Sequence, residues 1–142
     1  MSENILEKII IKKKEKINEL KKNITIKSLK EKIEQNKTFI NFKDKINNNI
    51  NNNKISIIAE IKKASPSAGI IIKDYDPVYI AQIYNDNKAT CLSVLTEEDF
   101  FLGNLIHISK IKQKIKLPIL CKDFLLIYFS CILQNLTVLT PF

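Results

Sequence analysis

The sequence predicts an α/β fold built on a parallel sheet, and three observations support this. Short apolar runs at Ile57–Lys62, Cys91–Thr96 and Leu117–Cys121 have the length and composition of strands. Segments with helical spacing separate these runs, and polar or charged residues follow each run. Strands and helices that alternate at this rhythm indicate βα units, whose strands lie parallel in one sheet.

A helical region precedes the first strand. From Ile5 to about Lys22, isoleucines and a leucine recur at helical spacing and lysines fill the other face, which predicts an amphipathic helix. A second short helix is predicted from Ser28 to about Gln35, because a serine and a glutamate stand there at capping-box spacing. The next segment, Phe39–Ile46, either begins a third helix or packs without one.

These patterns divide the chain into three parts. Residues 1–54 form an N-terminal helical extension that ends in an Asn-rich surface linker, Asn47–Lys54, because this stretch is non-periodic and turn-prone. Residues 55–124 hold the three βα units. Residues 125–142 form an atypical apolar tail without charge or clear period, interpreted as a strand or a poorly specified end.

The first strand ends in a pair of opposite charges. Apolar residues up to Ala59 predict burial on both faces of the sheet. Glu60 and Lys62 follow at the C-terminal end of the strand, where α/β folds carry their chemistry. Two residues apart on a strand, they point to the same face. The pair is a surface salt bridge at the strand end, a ligand-binding pair or an acid/base pair.

Two helices connect the three strands. Asp76 and Pro77 have the pattern of an N-cap followed by proline at the first helical position, which predicts a helix to about Asn87. The second helix is predicted from about Asn104 to Ile115. It contains His107, which has no evident acid/base partner in the sequence and is assigned no role.

The charge balance is weak evidence of function. A net charge of +8 suits an anionic partner such as nucleic acid, a membrane surface or a phosphorylated metabolite. All 23 basic residues are lysines, and the chain has no arginine, the favoured side chain for gripping phosphates and reading guanine. A codon bias towards A and T produces this composition without selection for charge.

The cysteines and the apolar runs indicate the compartment. Cys91, Cys121 and Cys131 lack CxxC spacing and are odd in number, so we expect buried thiols in a reducing compartment, without a metal site or disulfide. Charges interrupt each apolar stretch near the N-terminus, and no run reaches the ~20 apolar residues that span a bilayer. We therefore expect a cytoplasmic protein without a signal peptide and without a membrane partner.

Three segments together resemble the indole-3-glycerol phosphate synthase family. They are Ile58–Ser67 (IAEIKKASPS), Leu92–Glu97 (LSVLTE) with Phe100–Gly103 (FFLG), and Leu117–Phe124 (LPILCKDF). Their order and spacing, and the helical extension before them, match that family over roughly residues 3 to 124. The resemblance implies a partial TIM (β/α)8 barrel, limited to its first three strands and preceded by the N-terminal helical extension.

The resemblance implies a carbon–carbon lyase of tryptophan biosynthesis. That enzyme closes the ring of 1-(2-carboxyphenylamino)-1-deoxyribulose 5-phosphate, with loss of carbon dioxide and water, and forms indole-3-glycerol phosphate. The implied partner is a small phosphorylated substrate rather than nucleic acid or membrane, and neither a metal nor an organic cofactor is implied.

The resemblance also implies three catalytic residues. Lys122 matches the family's general acid, which protonates the substrate carbonyl so that the aromatic ring can attack it. Lys62 matches a lysine that contacts the substrate carboxylate and assists the later dehydration. Glu60 matches the glutamate that orients the lysines and the substrate hydroxyls. Without the resemblance, a solvated strand-end lysine is the better interpretation of Lys122.

Three further residues match substrate-binding positions of the family. Ser65 matches a serine in an active-site loop, and Phe101 and Phe124 match aromatic residues that wall the anthranilate ring. Taken singly, the serine is equally an ordinary turn hydroxyl, and a lone phenylalanine is usually core packing.

The resemblance also defines what the sequence lacks. A complete barrel has eight strands and typically ~250 residues. The family's general-base glutamate comes from a later strand, and its phosphate site lies on the last loops. A separately encoded C-terminal half is therefore one candidate partner, and a shift of reading frame or gene decay after Phe124 would explain the uncharged tail.

Three alternatives stay open. One is a truncated, inactive remnant of the same enzyme. Another is a different phosphate-binding barrel, such as the neighbouring isomerase of the pathway, although the Lys62–Ser67 loop and the helical extension argue against it. The third is a basic helical module that binds nucleic acid through residues 8–30.

Overall fold

The computed structural model describes residues 4–35 and 40–139. The described residues form helices and strands, named here in chain order. The helices are α1 (Ile5–Asn23), α2 (Ile26–Gln35), α3 (Phe42–Asn51), α4 (Pro77–Asp86), α5 (Ile106–Lys112) and α6 (Tyr128–Leu139). The strands are β1 (Ile58–Ile61), β2 (Ala64–Ser65), β3 (Gly69–Ile70), β4 (Cys91–Leu95) and β5 (Ile119–Lys122).

A parallel sheet of three strands, in the order β1-β4-β5, forms the centre of the fold. Helix α4 connects β1 to β4, and α5 connects β4 to β5. The predicted N-cap is confirmed, because the Asp76 carboxylate accepts the backbone N–H groups of Val78 and Tyr79. The α/β fold with a parallel sheet, predicted from the rhythm of strands and helices, is confirmed.

The main core lies between one face of this sheet and helices α4 and α5. The side chains that build it are buried and apolar: Ile61, Ala81, Leu92, Val94, Ile108, Ile111, Ile115 and Ile119. Burying one side chain of this size contributes about 1.5–3 kcal/mol, so this cluster is a main source of stability for the sheet. All five residues of β4 are buried, as expected for a central strand.

The prediction that β1 is buried on both faces is wrong. Ile57 is 53% exposed and Ile58 is 48% exposed, whereas Ile61 is fully buried. Strand β1 lies at the edge of the sheet, with β4 as its neighbour among the described strands. In an apolar run, the sequence alone does not distinguish an edge strand from a central one.

Helix α6 corrects the interpretation of the apolar tail. Residues 128–139 are helical, where we expected a strand or a poorly specified end. Phe129 and Ile132 are buried against Ile17 of α1 and Leu29 of α2. The helix also contacts α5 and β5. Because it packs on several sides, its sequence lacks the polar stripe that reveals the helical period of an amphipathic helix. In the described part of the chain, no helix is both long and apolar enough to cross a bilayer.

The prediction that the Asn-rich segment is a linker is also wrong for most of its length, because the segment is mainly helical. Helix α3 continues through Asn51, and only residues 52–54 lie beyond its end. Asn41 caps the start of α3, and Asn49 donates a hydrogen bond to the Thr90 hydroxyl at the start of β4. Tertiary contacts therefore stabilise a helix whose asparagines have low intrinsic propensity. Phe39, where the predicted segment began, lies outside the described residues.

The prediction that α2 begins at Ser28 is wrong by two residues. The helix begins at Ile26, and the Thr25 hydroxyl accepts the N–H of Ser28 at 3.1 Å. Thr25 is therefore the capping residue, and Ser28 donates its own hydroxyl to the Thr25 carbonyl.

Candidate active site

The C-terminal ends of β1 and β5 carry the charged residues predicted to be catalytic. Glu60 is in register with Ser93 of β4, and Lys122 is in register with Leu95. Neighbouring strands lie about 4.8 Å apart, so β1 and β5 are separated by about 10 Å with β4 between them. Glu60 and Lys122 lie on the face opposite to the helices, because side chains alternate along each strand. The long side chains of these residues meet above β4.

Glu60, Lys62 and Lys122 form one ion cluster. Glu60 Oε1 lies 2.8 Å from Lys62 Nζ, and Glu60 Oε2 lies 2.5 Å from Lys122 Nζ. The side chains of Glu60 and Lys62 are about one-third exposed, and that of Lys122 is 54% exposed. The cluster is therefore open to solvent, and Lys122 is its most accessible cation. The structure brings together the three residues that the sequence predicted as catalytic.

The two lysines control the ionisation of Glu60. Partial burial acts to raise the pKa of the Glu60 carboxyl, but hydrogen bonds from Lys122 and Lys62, together with their charges, outweigh it. The pKa of Glu60 therefore lies below its usual value. Two ammonium groups around one carboxylate give the cluster a net positive charge, which favours an anionic ligand.

A buried carboxylate shapes the loop after β4. Glu97 is 1% exposed, and its side chain accepts the backbone N–H groups of Asp99, Phe100 and Phe101 at 3.1, 2.7 and 3.1 Å. The Glu97 carbonyl accepts the N–H of Gly103 at 2.7 Å. These four bonds fix the position of Phe101. Sequence reasoning missed Glu97, although a charged residue two positions after a mostly apolar strand was a usable signal.

Phe101 and Phe124, the two predicted aromatic wall residues, lie together. Their ring centroids are 6.1 Å apart and the rings are tilted by 41°, a geometry in which aromatic rings attract each other. Both side chains are half-buried. The loops after β4 and β5 thus place an aromatic pair at the same edge of the sheet as the ion cluster.

Asp123 anchors the end of β5 to helix α1. Its side chain is 4% exposed and pairs with Lys13 Nζ at 2.6 Å. It also accepts the Thr96 hydroxyl at 3.1 Å and the N–H of Phe124 at 2.7 Å. These contacts fix the Asp123 side chain directly after Lys122. Sequence reasoning missed Asp123 and Lys13, and nothing distinguishes Lys13 from the other lysines of α1.

A second contact ties α1 to the loop after β4. Lys16 Nζ lies 2.7 Å from Glu98 and 2.8 Å from Asp99. Partial burial acts to lower the pKa of Lys16, but its hydrogen bonds to Asp99 and Glu98 outweigh this, and the pKa is raised. Helix α1 therefore contacts the loops after β4 and β5, which both belong to the candidate active site.

Ser65 lies in the antiparallel hairpin formed by β2 and β3. Its hydroxyl accepts the N–H of Ala68 at 3.2 Å and lies 3.4 Å from the Ser67 hydroxyl. The described hydrogen bonds of this side chain stay within the hairpin, so its role in substrate binding remains a prediction.

The potential metal ligands are dispersed. Within residues 4–35 and 40–139, no group of three or more His, Cys, Asp or Glu side chains is arranged to hold a metal ion. Cys91 is buried, Cys121 and Cys131 are half-buried, and all three are free thiols. Burial raises the pKa of the Cys121 thiol to about 11.

Comparisons with known proteins identify the family. The family model for indole-3-glycerol phosphate synthase matches residues 6–132. Proteins with that name from Trichodesmium erythraeum and Desulforamulus reducens are 39% and 44% identical to this chain, over 89% and 86% of its length. A third, from Alkaliphilus metalliredigens, is 43% identical over 86% of the chain.

The match is restricted to one part of the relatives. The aligned region covers 43%, 45% and 46% of those three proteins, so this chain spans less than half of their length. The match also runs past Phe124, where the predicted resemblance ended, so residues 125–132 belong to it. A parallel sheet packed on one face against α4 and α5, the helices that connect its strands, is the arrangement of the first three units of a (β/α)8 barrel. The family match covers most of the chain, including the ion cluster, and this protein belongs to the indole-3-glycerol phosphate synthase family.

Proposed function

We propose that this chain provides the N-terminal part of an active indole-3-glycerol phosphate synthase. The assembled enzyme converts 1-(2-carboxyphenylamino)-1-deoxyribulose 5-phosphate to indole-3-glycerol phosphate, carbon dioxide and water, a step of tryptophan biosynthesis. The observation that carries the proposal is the ion cluster, in which Glu60 binds two lysines at the C-terminal edge of the sheet. Chemistry in barrels of this class takes place at that edge.

Lys122 is the proposed general acid. Ring closure requires the aromatic carbon to attack the substrate's carbonyl carbon, and a proton delivered to the carbonyl oxygen makes that carbon more electrophilic. The Lys122 ammonium is the most exposed of the ion cluster and is oriented by its bond to Glu60. A substrate can therefore reach this proton donor without displacing buried groups.

Lys62 and Glu60 have supporting roles in this proposal. The substrate carries a carboxylate that leaves as carbon dioxide, and Lys62 binds it before that step and assists the later dehydration. Glu60 orients both lysines, because each of its carboxylate oxygens holds one ammonium. Phe101 and Phe124 form the wall for the anthranilate ring, and Ser65 binds the substrate from its loop.

We also propose that further βα units complete the barrel. Ile58 and Leu120 are each 48% exposed on the sheet face that carries Glu60 and Lys122. An open strand edge next to exposed apolar side chains is a surface that other chain segments cover. The additional units, in the same polypeptide or encoded separately, bring the general base and the family's phosphate site.

A complementation assay tests the proposed activity. The chain is mixed with the part of the Desulforamulus reducens relative that lies beyond the aligned region, and formation of indole-3-glycerol phosphate is measured by its indole fluorescence. We expect activity in the mixture and a loss of at least about 100-fold with Lys122→Met, because general acid catalysis contributes about 10²–10⁴-fold.

The matched control is Lys116→Met, which removes an exposed lysine that precedes β5 and lies outside the ion cluster. This variant should keep the activity of the mixture. If a folded mixture with the unaltered chain forms no product, the chain is the inactive remnant. Equal activity of the Lys122 and Lys116 variants would refute the role of Lys122.

A nucleic-acid partner is disfavoured by the contacts of the lysines in α1 and α2. Lys13 and Lys16 pair with carboxylates, and Lys21 lies 5.9 Å above the ring of Phe129. Lys30 similarly lies 5.6 Å above the Tyr128 ring. We propose a cytoplasmic metabolic protein without a nucleic-acid partner. Binding to duplex DNA at low salt that weakens steeply with added salt would contradict this.

A further inference from the structure

A cleft of about 520 Å³ lies between α4, α5 and the loop after β1. Sites of about 300–1,000 Å³ bind small molecules in proteins, so the cleft is large enough for a metabolite. Its polar lining comes from Lys63, Tyr75, Asp76, His107 and Lys110. None of these residues belongs to the ion cluster, although Lys63 directly follows Lys62 in the chain.

The charge of the cleft is predominantly positive. Lys63 and Lys110 line it from two different elements, and both charges act on the ring of His107. Asp76 is the acidic residue of the lining, but its carboxylate is already used as the N-cap of α4. An anion in the cleft would therefore be attracted by two lysines, and the one carboxylate of the lining is already hydrogen-bonded to the backbone of α4.

Two polar groups of the lining residues lack partners. Among the described residues, the buried Nδ1 of His107 and the buried hydroxyl of Tyr75 make no hydrogen bond. The two rings lie side by side, with centroids 5.5 Å apart. Buried polar groups in proteins are nearly always hydrogen-bonded, so two such groups without partners on neighbouring rings are unusual. Both side chains line the cleft, so a rotation that turns either buried atom towards it would let a ligand oxygen supply the missing partner.

We propose that this cleft binds a phosphate group, either as inorganic phosphate or as part of a phosphorylated metabolite. Lys63 and Lys110 provide the charge, and Tyr75 and His107 provide hydrogen bonds. The family resemblance places the substrate's phosphate on the last loops of the barrel, so this is a different location. The proposal does not depend on the proposed ring-closing activity.

His107 reports on occupancy of the cleft. Burial lowers the pKa of His107, and the charges of Lys110 and Lys63 lower it further. A phosphate dianion next to the ring favours the protonated imidazole and opposes both lysines, so binding raises the pKa of His107. Burial raises the pKa of Tyr75, which also lines the cleft, to about 12, so its hydroxyl stays protonated near neutral pH. Asp76 faces the cleft as well, but its carboxylate holds the N-terminus of α4.

A nuclear magnetic resonance titration tests the proposal, because His107 is the single histidine of the chain. Its imidazole proton signal is followed against pH in the full chain, with inorganic phosphate or with sodium chloride at equal ionic strength. We expect phosphate, and not chloride, to raise the pKa of His107 saturably by about one unit. Ribose 5-phosphate in a parallel titration distinguishes the sources: tighter binding indicates a metabolite, and equal or weaker binding indicates free phosphate.

Lysine variants provide the controls. Lys63→Met and Lys110→Met should each abolish the phosphate effect, while Lys114→Met, an exposed lysine outside the cleft lining, should retain it. Circular dichroism establishes that each variant is folded. The proposal is overturned if phosphate and chloride have the same effect, or if the Lys114 variant loses the effect as fully as the Lys63 variant.

Discussion

Gly103 occupies a position in the loop after β4 where a methyl group has no space. An added Cβ would meet the Leu95 carbonyl oxygen closer than real Cβ atoms approach any atom. It would also lie 2.8 Å from the Leu95 carbonyl carbon and 2.9 Å from the Glu97 carbonyl oxygen. All three are backbone atoms, held by the sheet and by the turn around Glu97. With Gly103→Ala the loop itself must therefore shift.

We expect Gly103→Ala to lower the free energy of unfolding by about 2–4 kcal/mol. Overpacking costs about 1–3 kcal/mol, and loss of the Gly103–Glu97 backbone hydrogen bond adds about 1 kcal/mol. Gly69→Ala is the matched control, because alanine is unfavourable there through backbone conformation and not through lack of space. Nothing lies within 4 Å of its added Cβ, but its φ is +64°, so alanine there costs about 1–2 kcal/mol through backbone strain.

Urea unfolding followed by circular dichroism at about 222 nm measures both variants. Gly103→Ala should be the more destabilised of the two by about 1–2 kcal/mol, and its loop should no longer hold Phe101 against Phe124. A cost for Gly103→Ala equal to or below that of Gly69→Ala would refute the close packing of this loop against β4.

Three further predictions concern charge and backbone conformation. In a double-mutant cycle of Lys13→Met and Asp123→Asn, urea unfolding should give a coupling free energy of about 2 kcal/mol between the two side chains, because the Asp123 side chain is buried. A coupling free energy under about 0.5 kcal/mol would indicate an ordinary surface ion pair. The lowered pKa of Glu60 contributes stability that is complete above its usual value of 4.5 and is lost as the pH falls through the lowered value. Glu60→Gln should accordingly reduce the loss of stability below about pH 4.5, and an unchanged pH profile would argue against the ion cluster. Lys88 follows the end of α4 with a φ of 64°, a left-handed conformation that glycine adopts without strain. Lys88→Gly should therefore stabilise the protein by about 1 kcal/mol in thermal unfolding, and a destabilised variant would contradict this conformation.

The strands and their connecting helices were predictable because their signals are local. Apolar runs, the Asp76 cap and the Pro77 start act within a few residues of chain, and tertiary contacts reinforced them. The Asn-rich end of α3 was not predictable, since the hydrogen bond from Asn49 to Thr90 joins residues far apart in sequence. Helix α6 was not predicted because its apolar residues contact several neighbouring elements, and such a helix does not show the periodic pattern of an amphipathic helix.

The candidate site likewise contains residues that the sequence identified and residues that it did not. Glu60, Lys62 and Lys122 were identified from residue type and position at strand ends, with the family resemblance. Glu97 and Asp123 were not, because each acts through burial, and burial depends on how the loops fold back on the sheet.

By itself, the sequence determined three βα units, their family, and charged residues at the ends of the first and third strands. Only the tertiary structure decided that one carboxylate holds both lysines. Glu60 and Lys122 are 62 residues apart in the chain, and they meet because β4 enters between β1 and β5 in a register that aligns their C-terminal ends. That register depends on packing the opposite face of the sheet against α4 and α5, a cooperative property of the whole core.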